Sequence, residues 1–375
     1  MKPLISVVIA TKNRQHYCIE AIKDLNKYDS ELLEVVISDN SEDESIKHFL
    51  NDLKSNNIKY KYTSNNISSI DNFNLAMDMA TGTFVILIGD DDTIHPRIIE
   101  VAKWALANNV DSVCSQEIYS FYWPEADPAI PQGYLKIPSS TKGKFKKVNA
   151  KKELIKLLKK GLVNYMFYEV PKSYHGLVRL EIMNKIKKTT GKFYGGLSPD
   201  IFSVVAISLL SKNHYVYSKP LSIAGVCPSS TSSDQIKGLH AGKLENMPHL
   251  KNRSDYIWNE NIPRFYSVTT TWGESGLRAL SDMNEQKLSR YFNPYPLYSQ
   301  ALLMNRNTIL KLATNELEKL RNEKNVNVIY FWSRIALSSQ SLIVEKVART
   351  IKLKYVKPSK LVEGVKDFSQ VFDLI

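Results

Sequence analysis

Three consecutive carboxylates, Asp90, Asp91 and Asp92, are the residues of this sequence most suited to chemistry. They follow Gly89 and the apolar run 84–88, which has the pattern of a strand buried on both faces. Three like charges at the end of a buried strand repel one another unless a cation is bound there. Mg²⁺ or Mn²⁺, held by carboxylates and substrate phosphates, is the usual answer. The alternative is a solvated acidic turn that precedes the next helix.

The elements around this cluster favour the ligand site over the turn. Buried-strand patterns at 5–10, 33–38, 58–62 and 84–88 alternate with helical patterns, which predicts an α/β fold with a doubly wound, mostly parallel sheet. Ligands bind such sheets outside the carboxyl ends of the strands. Residues 11–14, Asp39 and the three aspartates all follow strand ends, so we expect them to line one crevice. The sequence has neither G-x-G-x-x-G after the first strand nor a Walker A motif, which makes a metal more necessary for nucleotide binding.

A further carboxylate, Asp200, stands in the segment FYGGLSPD. Gly195 and Gly196 would let the backbone approach a ligand closely, and Pro199 begins a helix that is apolar nearly all round and therefore buried. Two interpretations stay open. Asp200 is either a charge partner of the helix N-terminus, which would keep it ionised, or a carboxylate aimed into the crevice.

Composition limits the partners and the compartment. The net charge of +12 and the pI near 9.3 favour anionic partners, and because no nucleic-acid-binding motif accompanies them we expect no nucleic acid. The three cysteines are far apart and odd in number, which fits neither a disulfide framework nor a zinc site and favours the cytoplasm. The longest apolar stretch is about half of a membrane span, so any membrane contact, at the inner face, should be peripheral.

The length of 375 residues predicts two domains, residues 1–240 and a helical C-terminal domain of residues 241–375. Helices are expected at 299–324 and 327–354, an irregular loop at 123–138 and one strand at 215–224. Residues 245–290 show little clear periodicity. Leucines 303, 310 and 317 are spaced by seven and suggest a homo-oligomer seam. The basic residues of 349–360 suggest instead an anionic membrane or a lipid-linked acceptor.

Five segments in register, ISVVIATKNR, VVISDNSEDES, LIGDDD, GGLSPD and PLSIAG, resemble family 2 glycosyltransferases with the GT-A fold. The resemblance covers residues 3–235. It implies an inverting enzyme of the bacterial surface-polysaccharide type (capsule, O-antigen or a similar glycan) that moves a sugar from a nucleotide-sugar to an acceptor hydroxyl. A UDP-sugar donor, a glycan or lipid-linked acceptor and Mn²⁺ or Mg²⁺ are the expected partners.

The resemblance also implies roles for individual residues. Asp200 would be the catalytic base, Asp90 and Asp91 would contact the nucleotide-sugar, and Asp91 or Asp92 would bind the metal within the D-x-D motif. The other residues expected to hold the nucleotide-sugar are Ala10, Thr11, Asn13, Arg14, Asp39 and Asn72. Two positions depart from the family pattern: Gly89 stands where an acidic residue is usual and Phe73 where an arginine is frequent.

Two other functions were compatible with parts of this pattern. A nucleotidyltransferase acting on a sugar phosphate shares the sheet and the metal-binding aspartate, but it carries a glycine-rich loop with Arg and Lys after the first strand, and ATKNR lacks the glycines. A non-catalytic sugar-binding module would share the crevice but would not turn over a donor.

Overall fold

The structure is a computed structural model that describes residues 2–29, 31–53, 55–139, 142–230, 241–247, 250, 256–352, 355 and 358–375. Its N-terminal part alternates strands and helices as predicted. The elements are β1 (Ile5–Thr11), α1 (Gln15–Leu25), β2 (Leu33–Asp39), α2 (Ser45–Leu53), β3 (Ile58–Tyr62), α3 (Ser69–Asp78), β4 (Phe84–Ile88), β5 (Thr93–Ile94) and α4 (Arg97–Ala107). β1 pairs in parallel with both β2 and β4, and β2 pairs in parallel with β3.

The next elements complete this sheet and form a second one. They are β6 (Ser112–Ser115), β7 (Tyr119–Tyr122), β8 (Tyr134–Ile137), β9 (Phe145–Val148), α5 (Ala150–Lys159), β10 (Gly176–Arg179), α6 (Leu180–Thr190), α7 (Pro199–Leu210), β11 (His214–Tyr217) and β12 (Ser222–Val226). The main sheet has eight strands in the order β3-β2-β1-β4-β10-β6-β11-β9. β10 runs antiparallel to both of its neighbours. The predicted α/β fold with a mostly parallel sheet flanked by helices is therefore confirmed.

Successive side chains of the central strands point into two different cores, as the pleat requires. Val8 of β1 and Leu87 of β4 belong to the core beneath α3, α5, α6 and α7. Val7 and Ile86, one residue earlier on the same strands, belong to the core beneath α1 and α4. Because both faces are covered, the strands are apolar without alternation, which is why their sequences read as continuous hydrophobic runs.

The C-terminal part is mainly helical, as predicted. Its elements are β13 (Ala241–Lys243), β14 (Phe265–Ser267), α8 (Val268–Asp282), α9 (Pro294–Met304), α10 (Leu310–Glu323), α11 (Val328–Ile351), β15 (Lys360–Glu363) and α12 (Phe368–Phe372). Leu277, Leu297 and Phe331 from these helices share one core with Leu154 and Val204 of the N-terminal part. The division at residues 240 and 241 stays a prediction, and residues 231–240 lie outside the described part.

The chain returns to the N-terminal part after α11. β15 pairs antiparallel with β8, so the second sheet has the order β15-β8-β7-β12-β5. Phe368 of α12 is buried against Phe121 and Trp123, with ring centroids 5.6 and 5.1 Å apart. Residues 360–372 are therefore structural parts of the crevice-bearing region, by which we mean the N-terminal part up to β12.

Several local predictions were wrong. The segment 123–138, expected to be irregular, contains β8, and the strand expected at 215–224 is two strands, β11 and β12, that belong to different sheets. The helix α8 lies within 245–290, where the sequence shows little clear periodicity. The helix expected at 299–324 is broken between α9 and α10, where Asn305 ends α9. Leu303 and Leu310 are exposed whereas Leu317 is buried, so these leucines form no continuous seam.

Candidate active site

The carboxyl ends of β1 and β4 and the start of α3 meet at Thr11. The Thr11 hydroxyl donates a 2.7 Å hydrogen bond to Oδ2 of Asp90. The Thr11 carbonyl accepts hydrogen bonds from the Asn40 backbone (3.0 Å) and from the Asn72 amide (2.9 Å). The structure thus brings Thr11, Asn72 and Asp90 together at one crevice.

Arg14, at the start of α1, forms a two-point ion pair with Asp90. Its Nε lies 3.1 Å from Oδ2 and its Nη2 lies 2.7 Å from Oδ1 of the carboxylate. Burial lowers the pKa of Arg14, but the carboxylates of Asp90 and Asp91 outweigh that effect and raise it. A fixed guanidinium at this point partly neutralises the aspartate cluster.

Asp91 is buried but less completely engaged. Its Oδ2 accepts a 3.0 Å hydrogen bond from the Cys227 backbone, and its carbonyl accepts one of 3.1 Å from the Trp123 indole. Its Oδ1 lies 3.8 Å from Nη1 of Arg14, beyond hydrogen-bond distance. Burial raises the pKa of Asp91, because ionisation without a bound cation is costly there.

Asp92 is held by the protein through both of its carboxylate oxygens. Oδ2 accepts from the Gly89 backbone (2.6 Å) and from the Tyr174 hydroxyl (3.0 Å), and it lies 3.2 Å from Nε2 of His175. Oδ1 accepts from the Gly225 backbone at 2.6 Å. Burial raises the pKa of Asp92, but His175 and the backbone donors outweigh it, so the pKa is lowered. This carboxylate anchors the turn, and the metal role predicted for Asp92 stays a prediction.

The departure at Gly89 has a steric reason. A Cβ atom at this position would lie 2.9 Å from Oδ1 of Asp91 and 2.9 Å from Oδ2 of Asp92. The acidic residue usual in the family would therefore displace both carboxylates. Asp90, paired with Arg14, is the carboxylate that the turn places next to β1 instead.

The remaining residues predicted to hold the nucleotide lie at the ends of β1 and β2. Ala10 is buried on β1 opposite Ser38. The carboxylate of Asp39 accepts hydrogen bonds from the Ser41 backbone (2.8 Å) and from the Tyr60 hydroxyl (2.9 Å). Asn13 has a φ of 55°, and its backbone donates to the Ser41 hydroxyl at 2.9 Å. Asn13 thus fixes the β1 loop against the β2 loop.

Two buried amide oxygens beside Thr11 have no hydrogen-bond partner in the part of the chain that the structure describes. They are Oδ1 of Asn40 and Oδ1 of Asn72, whose residues both donate to the Thr11 carbonyl. A buried acceptor without a donor is costly unless a ligand satisfies it. This pair is therefore a candidate recognition point for N–H groups of a base.

Asp200 begins α7 and faces the aspartate cluster. Its carboxylate accepts a hydrogen bond from the Tyr165 hydroxyl. Burial raises the pKa of Asp200 to about 6, and the charge of Asp92 also raises it, whereas His175, Tyr165 and Lys172 lower it. The helix N-terminus therefore does not keep the pKa of Asp200 at its ordinary value. With a pKa of about 6 the Asp200 carboxyl is still mostly ionised at neutral pH.

The glycines before Asp200 have a packing role that the sequence did not show. A Cβ at Gly196, whose φ is +64°, would lie 2.8 Å from Cα of Ser275 on α8, and a Cβ at Gly195 would lie 2.5 Å from the Phe202 ring. The Ser275 hydroxyl accepts 2.9 Å hydrogen bonds from the backbones of Leu197 and Ser198. These glycines therefore approach α8 and α7 closely, where a ligand was expected.

Other site residues were missed because their spacing in the sequence is irregular. Tyr165, Tyr174 and His175 come from connections beside α5 and β10, and Trp123 and Gly225 come from the second sheet. The signal that could have found them is the clustering of aromatic residues and histidine in segments without hydrophobic periodicity.

The residues present fit a divalent cation at Asp91. Its Oδ1 lies 3.8 Å from Nη1 of Arg14, and burial raises its pKa although the charge of Arg14 lowers it, as expected of a carboxylate that is only partly neutralised. Among the described residues no group of three His, Cys, Asp or Glu side chains could hold a metal ion by itself. Diphosphate oxygens and water would therefore have to complete the coordination, which is how proteins usually bind Mg²⁺.

Comparisons with known proteins match parts of this chain. Residues 6–154 match the sequence profile of the family described as Glycosyl transferase family 2. The chain is 32% identical over 95 residues, 24% of its length, to the GalNAc(5)-diNAcBac-PP-undecaprenol beta-1,3-glucosyltransferase of Campylobacter jejuni. It is 30% identical over 140 residues, 35% of its length, to a protein of Escherichia coli described as a colanic acid biosynthesis glycosyl transferase, WcaA. These matches span 31% and 50% of the two relatives.

The solved structure of Staphylococcus aureus TarS 1-349 is similar over 91% of this chain and 92% of its own, with 14% identity and a TM-score of 0.44. The family profile covers β1 to β4 and therefore Arg14 and the three aspartates, whereas Asp200 lies beyond it. The N-terminal part of the chain, residues 6–154, therefore matches glycosyl transferase family 2.

Proposed function

We propose that the protein is an inverting glycosyltransferase that moves a sugar from a nucleotide-sugar to an acceptor hydroxyl in the synthesis of a bacterial cell-surface glycan. The observation that carries this proposal is the position of Asp200. Its carboxylate is close enough to the aspartate turn for Asp92 and His175 to shift its pKa, which burial raises to about 6. This supports a site in which the aspartate turn would serve the donor and Asp200 the acceptor.

The donor would lie along the carboxyl ends of β1, β2 and β4. Asn40 and Asn72 offer unpaired acceptor oxygens to the N–H groups of a base. A UDP-sugar is the favoured donor, as the sequence resemblance implies. Asp90, held by Arg14 and Thr11, would contact the ribose or the sugar. Asp91 would hold Mn²⁺ or Mg²⁺ against the diphosphate, and the cation, when bound, stabilises the negative charge of the leaving group.

Transfer would be a single displacement. Asp200 accepts the proton of the acceptor hydroxyl while that oxygen forms a bond to the anomeric carbon. The bond between the anomeric carbon and the phosphate oxygen breaks, and the nucleoside diphosphate leaves with the electron pair. Because the acceptor attacks from the side opposite the leaving group, the anomeric configuration is inverted. The Tyr165 hydroxyl, which hydrogen-bonds to Asp200, would orient the carboxylate.

The acceptor class is proposed from the printed name of one relative. One relative is by its printed name an enzyme that acts on a glycan linked to undecaprenol through a diphosphate. A lipid-linked glycan acceptor is therefore proposed for this chain, and the sugar transfer would take place at the inner face of the membrane.

The test is a panel of nucleotide-sugars incubated with the purified protein and Mn²⁺, with release of nucleoside diphosphate as the readout. Slow donor hydrolysis that accelerates with a lipid-linked or free glycan acceptor is the expected result. Donor binding without any hydrolysis or transfer would indicate a sugar-binding module. Release of pyrophosphate from a nucleoside triphosphate and a sugar phosphate would indicate a nucleotidyltransferase.

A further inference from the structure

The helix α11 has apolar residues on both of its sides. Phe331, Ile335 and Leu342 face inwards and are buried. On the opposite side Ile329, Leu337 and Val344 are 77%, 58% and 66% exposed. At 100° per residue these positions fall on one stripe, which we call the outer stripe of α11; its other apolar members are Tyr330, Val347 and Ile351. A stripe of large exposed apolar residues running the length of a helix marks an interaction surface.

The outer stripe is flanked by positive charge. Residues 328–360 contain seven basic residues and one acidic residue, Glu345. Arg334, Lys346 and Lys352 are exposed on the flanks of the stripe, whereas Glu345 pairs with Lys160 of the neighbouring segment. The surface therefore combines uncharged apolar residues in the middle with basic residues at the sides.

A neighbouring segment packs beside the inward side of α11, next to Leu342 and Arg349, and lies outside the outer stripe. Met166 and Phe167, in the connection after α5, are both 56% exposed. The Arg349 guanidinium lies over the Phe167 ring, 3.6 Å from its centroid, which holds this segment against α11. The connection and α11 also line a cavity of about 330 Å³ whose walls include Val163, Leu342 and Arg349.

We propose that the outer stripe of α11 lies on an anionic lipid surface. Amphipathic helices that bind membranes in this way have a broad apolar face bordered by Lys and Arg, which reach the headgroups while the apolar face enters the acyl boundary. Among the described residues, no helix is long and apolar enough to cross a membrane. The 24 residues of α11 extend over about 36 Å. Because the apolar stripe runs along one side of this length, the helix would lie parallel to the surface.

A second copy of this chain is the less suitable occupant. A symmetric dimer would place the same surface on both subunits. Each copy would bring Arg334, Lys346 and Lys352, and Glu345 is already paired with Lys160, so the described part of that surface offers no free carboxylate to the basic flanks. Anionic headgroups complement both the charge and the apolar stripe.

The experiment is flotation of the full chain with vesicles of phosphatidylcholine, with and without phosphatidylglycerol, in the absence of any sugar substrate. We expect flotation with the anionic vesicles, loss of flotation in high salt, and weak flotation with neutral vesicles. The double variant Leu337→Glu/Val344→Glu should lose flotation. Lys346→Gln/Lys352→Gln should lower the partition coefficient by about 30-fold, about five-fold for each basic residue near the surface.

The matched control is Leu106→Glu/Ile257→Glu. Leu106 and Ile257 are 49% and 78% exposed, so the control makes the same change in charge and apolarity at similarly exposed sites away from α11. It should float like the unchanged protein. Point variants are needed because deletion of residues 299–375 would also remove β15 and the buried Phe368 from the crevice-bearing region.

Three results would overturn the inference. Equal flotation of the Leu337→Glu/Val344→Glu variant and the unchanged protein would show that the outer stripe does not touch lipid. Absence of flotation of the unchanged protein with anionic vesicles would do the same. A vesicle-free dimer that this variant converts to monomer would assign the stripe to a second copy. The inference does not need the proposed transfer activity, because flotation is measured without substrate and nucleoside diphosphate release separately.

Discussion

Replacing Asp200 with Asn separates a catalytic base from a helix-terminal charge partner. Asparagine keeps the size of the side chain, can accept the hydrogen bond of Tyr165 and serves as well as aspartate near a helix N-terminus. It cannot accept a proton from an acceptor hydroxyl. General-base catalysis contributes typically about 10²–10⁴-fold, so we expect Asp200→Asn to lower kcat by that factor while the donor Kd is nearly unchanged.

The pKa gives the prediction a second measurable part. Burial raises the pKa of Asp200 to about 6. The base is then about nine-tenths ionised at pH 7 and about one-tenth ionised at pH 5, so kcat/KM should fall roughly ten-fold between these values with a midpoint near pH 6. Activity should be retained above the midpoint and lost below it. The residual activity of Asp200→Asn should lack this acidic limb.

Stability should change in the opposite direction to activity. The pKa rises from 3.8 to about 6 on folding, so the folded state favours the protonated carboxyl. The cost of burying the ionised form grows as pH rises from about 4 to about 6 and is constant above, by up to about 3 kcal/mol for two pKa units. Asp200→Asn carries no such cost and should melt at a higher temperature than the unchanged protein at pH 7 but not at pH 4.

Turnover, donor Kd and thermal unfolding measured across pH 4–8 test this reasoning. The control is Glu181→Gln, which removes a carboxylate from the first turn of α6, where Leu180 hydrogen-bonds to Thr83 before β4, at the end of the sheet opposite the crevice. It should leave turnover and its pH dependence unchanged. Near-normal turnover of Asp200→Asn, or an acidic limb that survives in this variant, would refute the assignment of Asp200 as the base.

The other predictions concern the cation, the aspartate turn and the packing of Phe368 against Trp123. Asp91→Asn should make the Kd for the nucleoside diphosphate the same in Mn²⁺ and in EDTA, as measured by calorimetry; a persistent difference would place the cation elsewhere. Gly225→Ala should destabilise the fold by at least about 1–3 kcal/mol in urea, because its Cβ would lie 1.7 Å from the Asp91 carbonyl oxygen, while Gly242→Ala, which meets nothing within 4 Å, should not. Phe368→Ala should cost about 3–5 kcal/mol in the same assay and weaken donor binding, since Phe368 packs against Trp123, whose indole donates to the Asp91 carbonyl; unchanged donor binding would separate α12 from the site.

The sequence predicted the main sheet well because its signals are local. β1 to β4 are short apolar runs ended by polar residues, and their order alone places Thr11 and Asp90 at one edge. The second sheet was not predictable in the same way. β8 and β12 are four and five residues long, their segments contain proline or glycine, and their partners are distant in the sequence.

The state of each aspartate could not be read from the motif either. Asp90, Asp91 and Asp92 are equivalent in the sequence, yet one is paired with Arg14, one keeps an oxygen away from Arg14, and one is fixed by four donors. These differences arise from Tyr174, His175 and Gly225, which reach the turn only through tertiary contacts. The role of α8 in holding the segment before Asp200 through Ser275 likewise depends on packing between distant segments.

The return of the chain to β8 and Trp123 sets the order in which the protein can mature during synthesis. The strands β1 to β4 emerge from the ribosome first and can pair as soon as they are available. The packing around Trp123, whose indole donates to the Asp91 carbonyl, is complete only after residues 360–372 have been translated, because it needs β15 and Phe368. A partly synthesised chain therefore has its donor-binding loops without their support. Translation of α11 precedes that last step, so the outer stripe emerges before the crevice is complete.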